Sequence, residues 1–436
     1  MRSPEGRVVV TGLGMVTPFG VGQRAFWAGV LASRSAAREI RSFKTAGYPT
    51  RFACQVDDAG FDPGRYLRNR KSLKLMGRAT RLGVAAAALA LEDAGLPQVL
   101  PEPRRAGIVM GVGGVGHHDL DYLEVMTEVA VEMRAAGAEA DVLSIVGRHM
   151  NPLTTLMLLP NITATHIGIE HDLRGESATV CTACTSATQA IGEAVRVLRA
   201  GRVDVMLAGG TDAMINPVGV AAFGMLGVLS RRNEAPEKAS RPFDRARDGF
   251  VMGEGAVVLA IEALPHALKR DAPILAEVIG YGAAADAYRV TDEPEDGHGS
   301  IDAMRAALAD AAVSPSAVQC LNAHGTGTRM NDIVETRALR AVFGEHLRTV
   351  AVSSTKSQVG HLVAAAGAVE TAACVLALVH QTVPPSINLD DPDPACEGLD
   401  LVANLPRQTH LDVVVKNSFG FGGQNACLVL RRWQAQ

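Results

Sequence analysis

Short runs of branched apolar residues punctuate this chain, and between them lie longer Ala-rich stretches with helical spacing. Residues 7–11 (RVVVT), 107–110 (GIVM), 178–183 (ATVCTA), 203–208 (VDVMLA), 255–261 (GAVVLAI), 350–354 (VAVSS), 411–415 (LDVVV) and 425–430 (NACLVL) read as strands. Their near-continuous apolarity predicts sheets covered on both faces, because a one-sided sheet would alternate apolar with polar positions. Residues 82–94 read as a helix stopped by Gly95, and residues 186–200 as one stopped by Gly201. Strand followed by helix, repeated along the chain, predicts an α/β architecture. A duplication is also hinted. GEGAVVL at 253–259 resembles GQNACLV at 423–429, and each half carries one Ala-rich helix, at 184–200 and 362–380.

Composition narrows the function classes. Hydrophobic residues are 47% of 436 and charged residues 20%, ample for a large core. Net charge is −4 and aromatics are 4%, which argues against nucleic acid as a partner. The apolar run at 83–91 is about half the ~20 residues of a membrane span. The first residues do not read as a secretory signal. Seven scattered cysteines then imply reduced thiols and a cytoplasmic enzyme.

Several motifs could carry chemistry. Gly111, Gly113 and Gly116 match GxGxxG, but His117, His118 and Asp119 follow, and an acid is misplaced where pyrophosphate would sit. A turn where a backbone or ligand passes closely fits better. Cys181 and Cys184 form a CxxC without the second pair that zinc would need. Cys181 falls inside a predicted strand as an apolar filler. Cys184 falls where a strand gives way to a helix, whose free N–H groups lower a thiol pKa and stabilise an adjacent oxyanion. His324 stands in NAHGTGT, Lys356 and His361 in KSQVGH, and Phe419 and Phe421 in NSFGFGGQN. All lie at predicted strand ends or helix starts, where sites form in open α/β sheets.

TACTSA, NAHGTGT, KSQVGH and NSFGFGGQN, with RPFD at 241–244 and RDGFVMGEG at 247–255, resemble the β-ketoacyl-acyl-carrier-protein synthases of the synthase II type, which include type II polyketide ketosynthases. The resemblance runs from Val8 to Leu430. It implies a thiolase-like fold, two similar βαβαβαββ halves in five α-β-α-β-α layers, here divided as 1–264 with the nucleophile and 265–436 with the His/Lys/His set. It implies that Cys184 takes the acyl chain as a thioester and that the Cys184 and Phe421 N–H groups form the oxyanion hole. His324 and His361 would hold the malonyl thioester carbonyl while CO2 leaves. Lys356 would tune His324, with Glu335 as its partner. Phe419 and Phe421 would gate the pocket, Phe223 would line it near the cysteine, and Val112 would form its floor. No metal or other cofactor is implied. The implied partners are acyl carrier protein bearing acyl and malonyl groups, and a second subunit, identical or resembling a chain-length factor.

Departures from the family pattern are Gly227, where an Arg used in carrier contact is common, Glu176 in LRGES, and a longer stretch 117–160 with an extra helical segment over 121–136. Residues 65–81 hold seven Lys/Arg and no acid, which reads either as a solvated helix face or as a docking patch built on Arg68, Arg70, Lys71 and Lys74. Fatty-acid elongation and specialised polyketide or polyene synthesis stay open, as does the catalytic half of a heterodimer. A degradative thiolase would need a second active-site cysteine near the C-terminal Gly motif, and Cys427 falls within a strand. A non-catalytic partner subunit would have lost the nucleophile.

Overall fold

The computed structural model describes residues 6–113, 120–137 and 141–434. In chain order the first half runs β1 (Val8–Thr17), α1 (Arg78–Asp93), β2 (Ala106–Val112), α2 (Leu120–Ala136), α3 (Ile162–His171), β3 (Ser177–Val180), α4 (Ser186–Arg199), β4 (Val205–Asp212) and β5 (Gly255–Ala263). The second runs β6 (Ala276–Ala285), α5 (His298–Ala311), β7 (Cys320–Asn322), α6 (Arg329–Phe343), β8 (Ala351–Ser353), α7 (Ala366–His380), β9 (Val413–Gly420) and β10 (Gln424–Arg432). Hydrogen bonding orders the strands β8-β7-β9-β10-β6-β1-β5-β4-β2-β3. Counted from the centre, each half shows its first, fifth, fourth, second and third strand, and in both the last three are parallel. The duplication hinted at in the sequence is therefore topological. Among the described residues the half-sheets meet only where Val9 pairs Glu277 and Val10 pairs Ala276.

Period-two alternation within the strands explains the layers. Met206, Ala208, Val257 and Leu259 face one way, into a cluster with Ala187, Ile191 and Leu198 of α4 and Val369, Val375 and Leu378 of α7. Val205, Leu207, Val258 and Ala260 face the other way, against Leu82, Ala86 and Leu91 of α1 and Ile167 of α3. In the second half Val414, Leu428 and Leu430 face α4 and α7, while Val415 and Val429 face Met304 and Leu308 of α5 and Leu339 of α6. The result is five layers, α1/α3, sheet, α4/α7, sheet, α5/α6. The segment Val363–His380 is the one candidate span among the described residues long and apolar enough to cross a membrane. It is buried in the middle layer, which accounts for its apolarity.

Close approach explains the first glycine of the GxGxxG match. A Cβ on Gly111 would stand 2.3 Å from the Ala187 nitrogen, so only glycine lets α4 start there. Residues 114–119 of that stretch lie outside the described residues. The extra segment is the helix α2, followed by a second helix over Val142–His149. Both are largely exposed, with Ile145 and Val129 as their buried apolar contacts.

Candidate active site

Cys184 is held by a stapled turn. Strand β3 ends at Val180, earlier than the sequence pattern suggests, so Cys181 leaves the sheet and is exposed. Ala183 takes a left-handed φ of 50°, and a 3-10 turn over Ala183–Thr185 leads into α4. Ser186 Oγ accepts from Thr182 N–H at 2.8 Å and donates to the Ala183 carbonyl at 2.7 Å, which fixes the bend. Cys184 is thereby buried at the head of a helix.

Two imidazoles converge on it. His361 follows the short helix Lys356–Val359, and its Nε2 lies 3.1 Å from Cys184 Sγ. Its Nδ1 accepts the Val363 N–H at 3.2 Å, so the proton of the neutral ring sits on Nε2 and points at sulfur. His324 follows β7. Its Nδ1 faces Lys356 Nζ at 3.2 Å, and an ammonium can only donate, so this ring also carries its proton on Nε2. The two rings stand 5.5 Å apart, nearly perpendicular. Phe419 packs against His324 at 5.6 Å, and Phe250 against His361 at 5.1 Å. Phe223 completes this wall by an edge contact with Phe250 at 5.7 Å.

Burial above all holds both imidazoles well below their ordinary pKa, and the Lys356 charge pushes the same way. The site therefore presents two neutral N–H donors. Burial also pushes the Cys184 thiol up to about 12, against the pull of Lys356 and a hydrogen bond from the Phe421 N–H. This reverses the expectation of a depressed thiol, because removal from water outweighs the favourable charges around the sulfur. Cys184, His324 and His361 offer ligand atoms within 4.8 Å of one another. With both Nδ1 atoms accepting hydrogen bonds, however, neither Nε2 has a lone pair to give a metal.

Lys356 has a different partner from the one expected. Its Nζ donates to Glu370 of α7 and to the His324 carbonyl at 2.6 Å. Glu335 of α6 instead accepts the His324 and Gly325 backbone N–H groups, both at 2.8 Å, and so holds the loop rather than the lysine. Burial raises the Glu335 carboxyl to about 7. Lys416 of β9 completes the cluster, its Nζ 3.0 Å from the second oxygen of Glu370. Glu370 and Lys416 each stand alone among apolar neighbours (GAVETAAC, VVVKNSF), a signal that could have marked them.

A cavity of about 710 Å³ opens onto Cys184, His324 and His361 and is bordered by Phe419, Phe421 and Gly227. Val112 does not line it. Because Gly111 faces α4, the next residue faces the opposite side of β2, and Val112 packs in the outer cluster with Leu82 and Ile108. The docking candidates are all exposed. Arg68 pairs with Glu170 at 3.3 Å and Arg70 with Asp62 at 3.3 Å, while Lys71 and Lys74 have no carboxylate within pairing distance among the described residues. Residues Arg70–Leu75 form a 3-10 turn. Glu176 pairs with Arg202 at 3.0 Å on the surface. Cys427 is buried against the outer helices, away from the cavity, which leaves a thiolase's second cysteine without a counterpart.

Residues 5–267 match the family described as Beta-ketoacyl synthase, N-terminal domain, and residues 275–390 its C-terminal domain. The chain is 39% identical over 428 residues to a 3-oxoacyl-[acyl-carrier-protein] synthase 2 of Coxiella burnetii, covering 98% of each. It is 38% identical over 436 residues to the tetracenomycin polyketide synthase ketoacyl synthase alpha subunit of Streptomyces glaucescens, covering 99% of this chain and 98% of the other. Among solved structures, the ishigamide ketosynthase/chain length factor superposes with a TM-score of 0.87 at 35% identity, over 98% of this chain and 99% of that one.

Proposed function

Since the chain belongs to the β-ketoacyl synthase family, we propose that it joins an acyl group held on Cys184 to a malonyl unit on acyl carrier protein, with loss of CO2. Cys184 Sγ attacks the acyl thioester carbonyl, the carrier C–S bond breaks, and the thiol proton ends on the departing carrier thiol. Malonyl thioester then enters with its carbonyl oxygen between the two Nε2–H groups. Its C–C bond to the carboxylate breaks, CO2 leaves, and the electron pair becomes an enolate held by both donors. The enolate carbon attacks acyl-Cys184, and the oxyanion formed is held by the Cys184 and Phe421 N–H groups. Collapse breaks the acyl–sulfur bond, releases 3-oxoacyl carrier protein and leaves Cys184 as a thiolate, which regains its proton from solvent.

One observation carries this reading. Both imidazoles are turned by hydrogen bonds at Nδ1 so that Nε2–H faces the cavity beside Sγ. Such rings cannot act as bases but can stabilise a developing negative oxygen. His324→Ala and His361→Ala should each lower malonyl decarboxylation about 10²–10³-fold while leaving some single-turnover acylation of Cys184. Two variants that condense at the wild-type rate would refute the assignment. Phe419 and Phe421 gate the cavity in this reading, and Phe223 lines its wall. Arg68, Arg70, Lys71 and Lys74 offer an acidic carrier a docking surface, with Lys71 and Lys74 the more available pair. We place the boundary between the halves at 264/265, and the enzyme in the cytoplasm.

A second reading, as the catalytic subunit beside a chain-length-factor-like partner, draws support from the ishigamide ketosynthase/chain length factor and from the near-equal identity to the alpha subunit. The apolar side chains exposed on and after α2, including Val131, Leu143 and Leu156, would suit a subunit contact.

A further inference from the structure

The catalytic reading uses Lys356 and leaves Lys416 unexplained. Lys416 lies in the middle of β9 with no exposed surface, inside the five-layered core. A buried ammonium is costly unless every hydrogen finds a partner. Two go to Thr188 Oγ1, at 2.6 Å, and to Ser418 Oγ, and the charge itself is paired with Glu370 Oε2 at 3.0 Å. Glu370 belongs to α7 and Thr188 to α4, so Lys416 ties the helix that follows Cys184 to the helix that follows His361.

Charge counting gives this arrangement a consequence. Lys356 and Lys416 share one carboxylate, so the buried cluster carries two positive charges and one negative, a net +1, beneath two imidazoles. Without Lys416, Glu370 would be free to turn both oxygens to Lys356 and draw its Nζ away from His324 Nδ1. The net charge would also fall to zero.

We propose that Lys416 is a positioning residue for the condensing site: paired with the second oxygen of Glu370, it leaves Lys356 bonded to His324 Nδ1, and its charge opposes protonation of both imidazoles, whose Nε2–H is turned to the substrate. Lys356 and Lys416 of β9 act on both rings, Cys184 faces His361, Glu335 of α6 holds the His324 backbone N–H, and Glu370 of α7 and Asp212 at the end of β4 act on the thiol between the rings. Both rings already feel Lys416 in the direction that opposes protonation. The proposal rests on the condensing function set out above.

The test is the pH profile of malonyl-carrier decarboxylation, with a parallel NMR titration of the imidazoles that needs no turnover. A proton gained at Nδ1 removes the acceptor that Lys356 Nζ and the Val363 N–H use to orient the rings, so decarboxylation should fall as a histidine is protonated, and removing a nearby positive charge must move the acid limb to higher pH. Lys416→Met should shift that limb, and the imidazole titration, upward by about one pH unit, which is a tenfold loss on the acid side. Glu370→Gln raises the cluster to +2 and should shift both downward. The double variant K416M/E370Q restores +1 and should return to the wild-type position. It also removes both partners of the buried pair, so it remains readable if Lys416→Met alone fails to fold. A Lys416→Met profile that overlays wild type overturns the proposal. So does a double variant shifted downward, since that places no charge at Lys416. A wild-type enzyme that does not decarboxylate malonyl carrier protein refutes the condensing function instead, and the two failures are thereby separate.

Discussion

The turn that carries Cys184 has a twin in the second half. There a 3-10 turn over Val363–Ala365 leads into α7, and Val363 takes a left-handed φ of 45°, as Ala183 does at 50° before α4. Ala364 stands where Cys184 stands in the first turn. The backbones match, yet their amides meet different fates. The Ala364 N–H is taken by Asp212 Oδ2 at 2.9 Å. The Cys184 N–H has no protein acceptor among the described residues. Asp212 is the last residue of β4 and Gly420 the last of β9, equivalent positions in the two strands. A Cβ on Gly420 would sit 3.4 Å from the Cys184 nitrogen, so the side chain that plugs one turn is the side chain missing from the other. The same local fold is a structural anchor where a carboxylate fills it and an open anion site where glycine leaves it free.

Swapping the plug should have the largest effect. Gly420→Asp sets a carboxylate against the Cys184 N–H and should lower condensation by at least the ~10²–10³-fold typical of one lost oxyanion donor, with the fold intact by circular dichroism. Near-normal turnover from a folded Gly420→Asp enzyme would mean that this amide holds no oxyanion. Removing the plug from the other turn should act on stability. Asp212→Ala strands the buried Ala364 N–H and should lower unfolding free energy by about 1–3 kcal/mol in urea, while Asp212→Asn, which keeps an acceptor, should lose less. Equal losses in the two variants would remove the hydrogen bond as the cause. The smallest effect crosses between the turns. Burial is the main cause of the raised Cys184 thiol and the Asp212 charge adds a little, so Asp212→Asn should speed iodoacetamide alkylation of Cys184 at pH 8 slightly, by about twofold. Slower alkylation would reverse the sign of this coupling.

Much of this comparison was readable from the chain. Cys184, His324, Lys356, His361, Phe419 and Phe421 stand out because small residues and glycines surround reactive ones at strand ends, and the fold gathers all but Lys356 around one cavity, with Lys356 bonded to His324 behind it. The apolar strands announce buried sheets, though β6 is hard to see, since in AEVIGYGAAA only Val278 and Ile279 are branched and alanine and glycine fill most of the rest. The charged supports were harder to see. Glu335 was assigned to Lys356, but the choice among several acids depends on which helix face meets the loop, and that is a property of packing. Glu370, Lys416 and Asp212 each read as an isolated charge in an apolar run until α4 and α7 are stacked between the sheets. Val112 turns to the outer cluster with Leu82 and Ile108 and away from the cavity on Cys184, because successive side chains of β2 face opposite ways.

The narrow seam between the half-sheets, two residue pairs long, has a consequence for the ancestry of the chain. Each half contributes one helix to the middle layer, and each of those helices is buried only when the other half covers it. A single unit of this kind would expose the apolar back of its sheet and one side of its middle helix, and could hide them only against a second copy. A precursor of half the length would thus have been an obligate homodimer bearing two identical turns. Fusion into one chain would release those turns from identity, so that one could carry a thiol and its sister a plug.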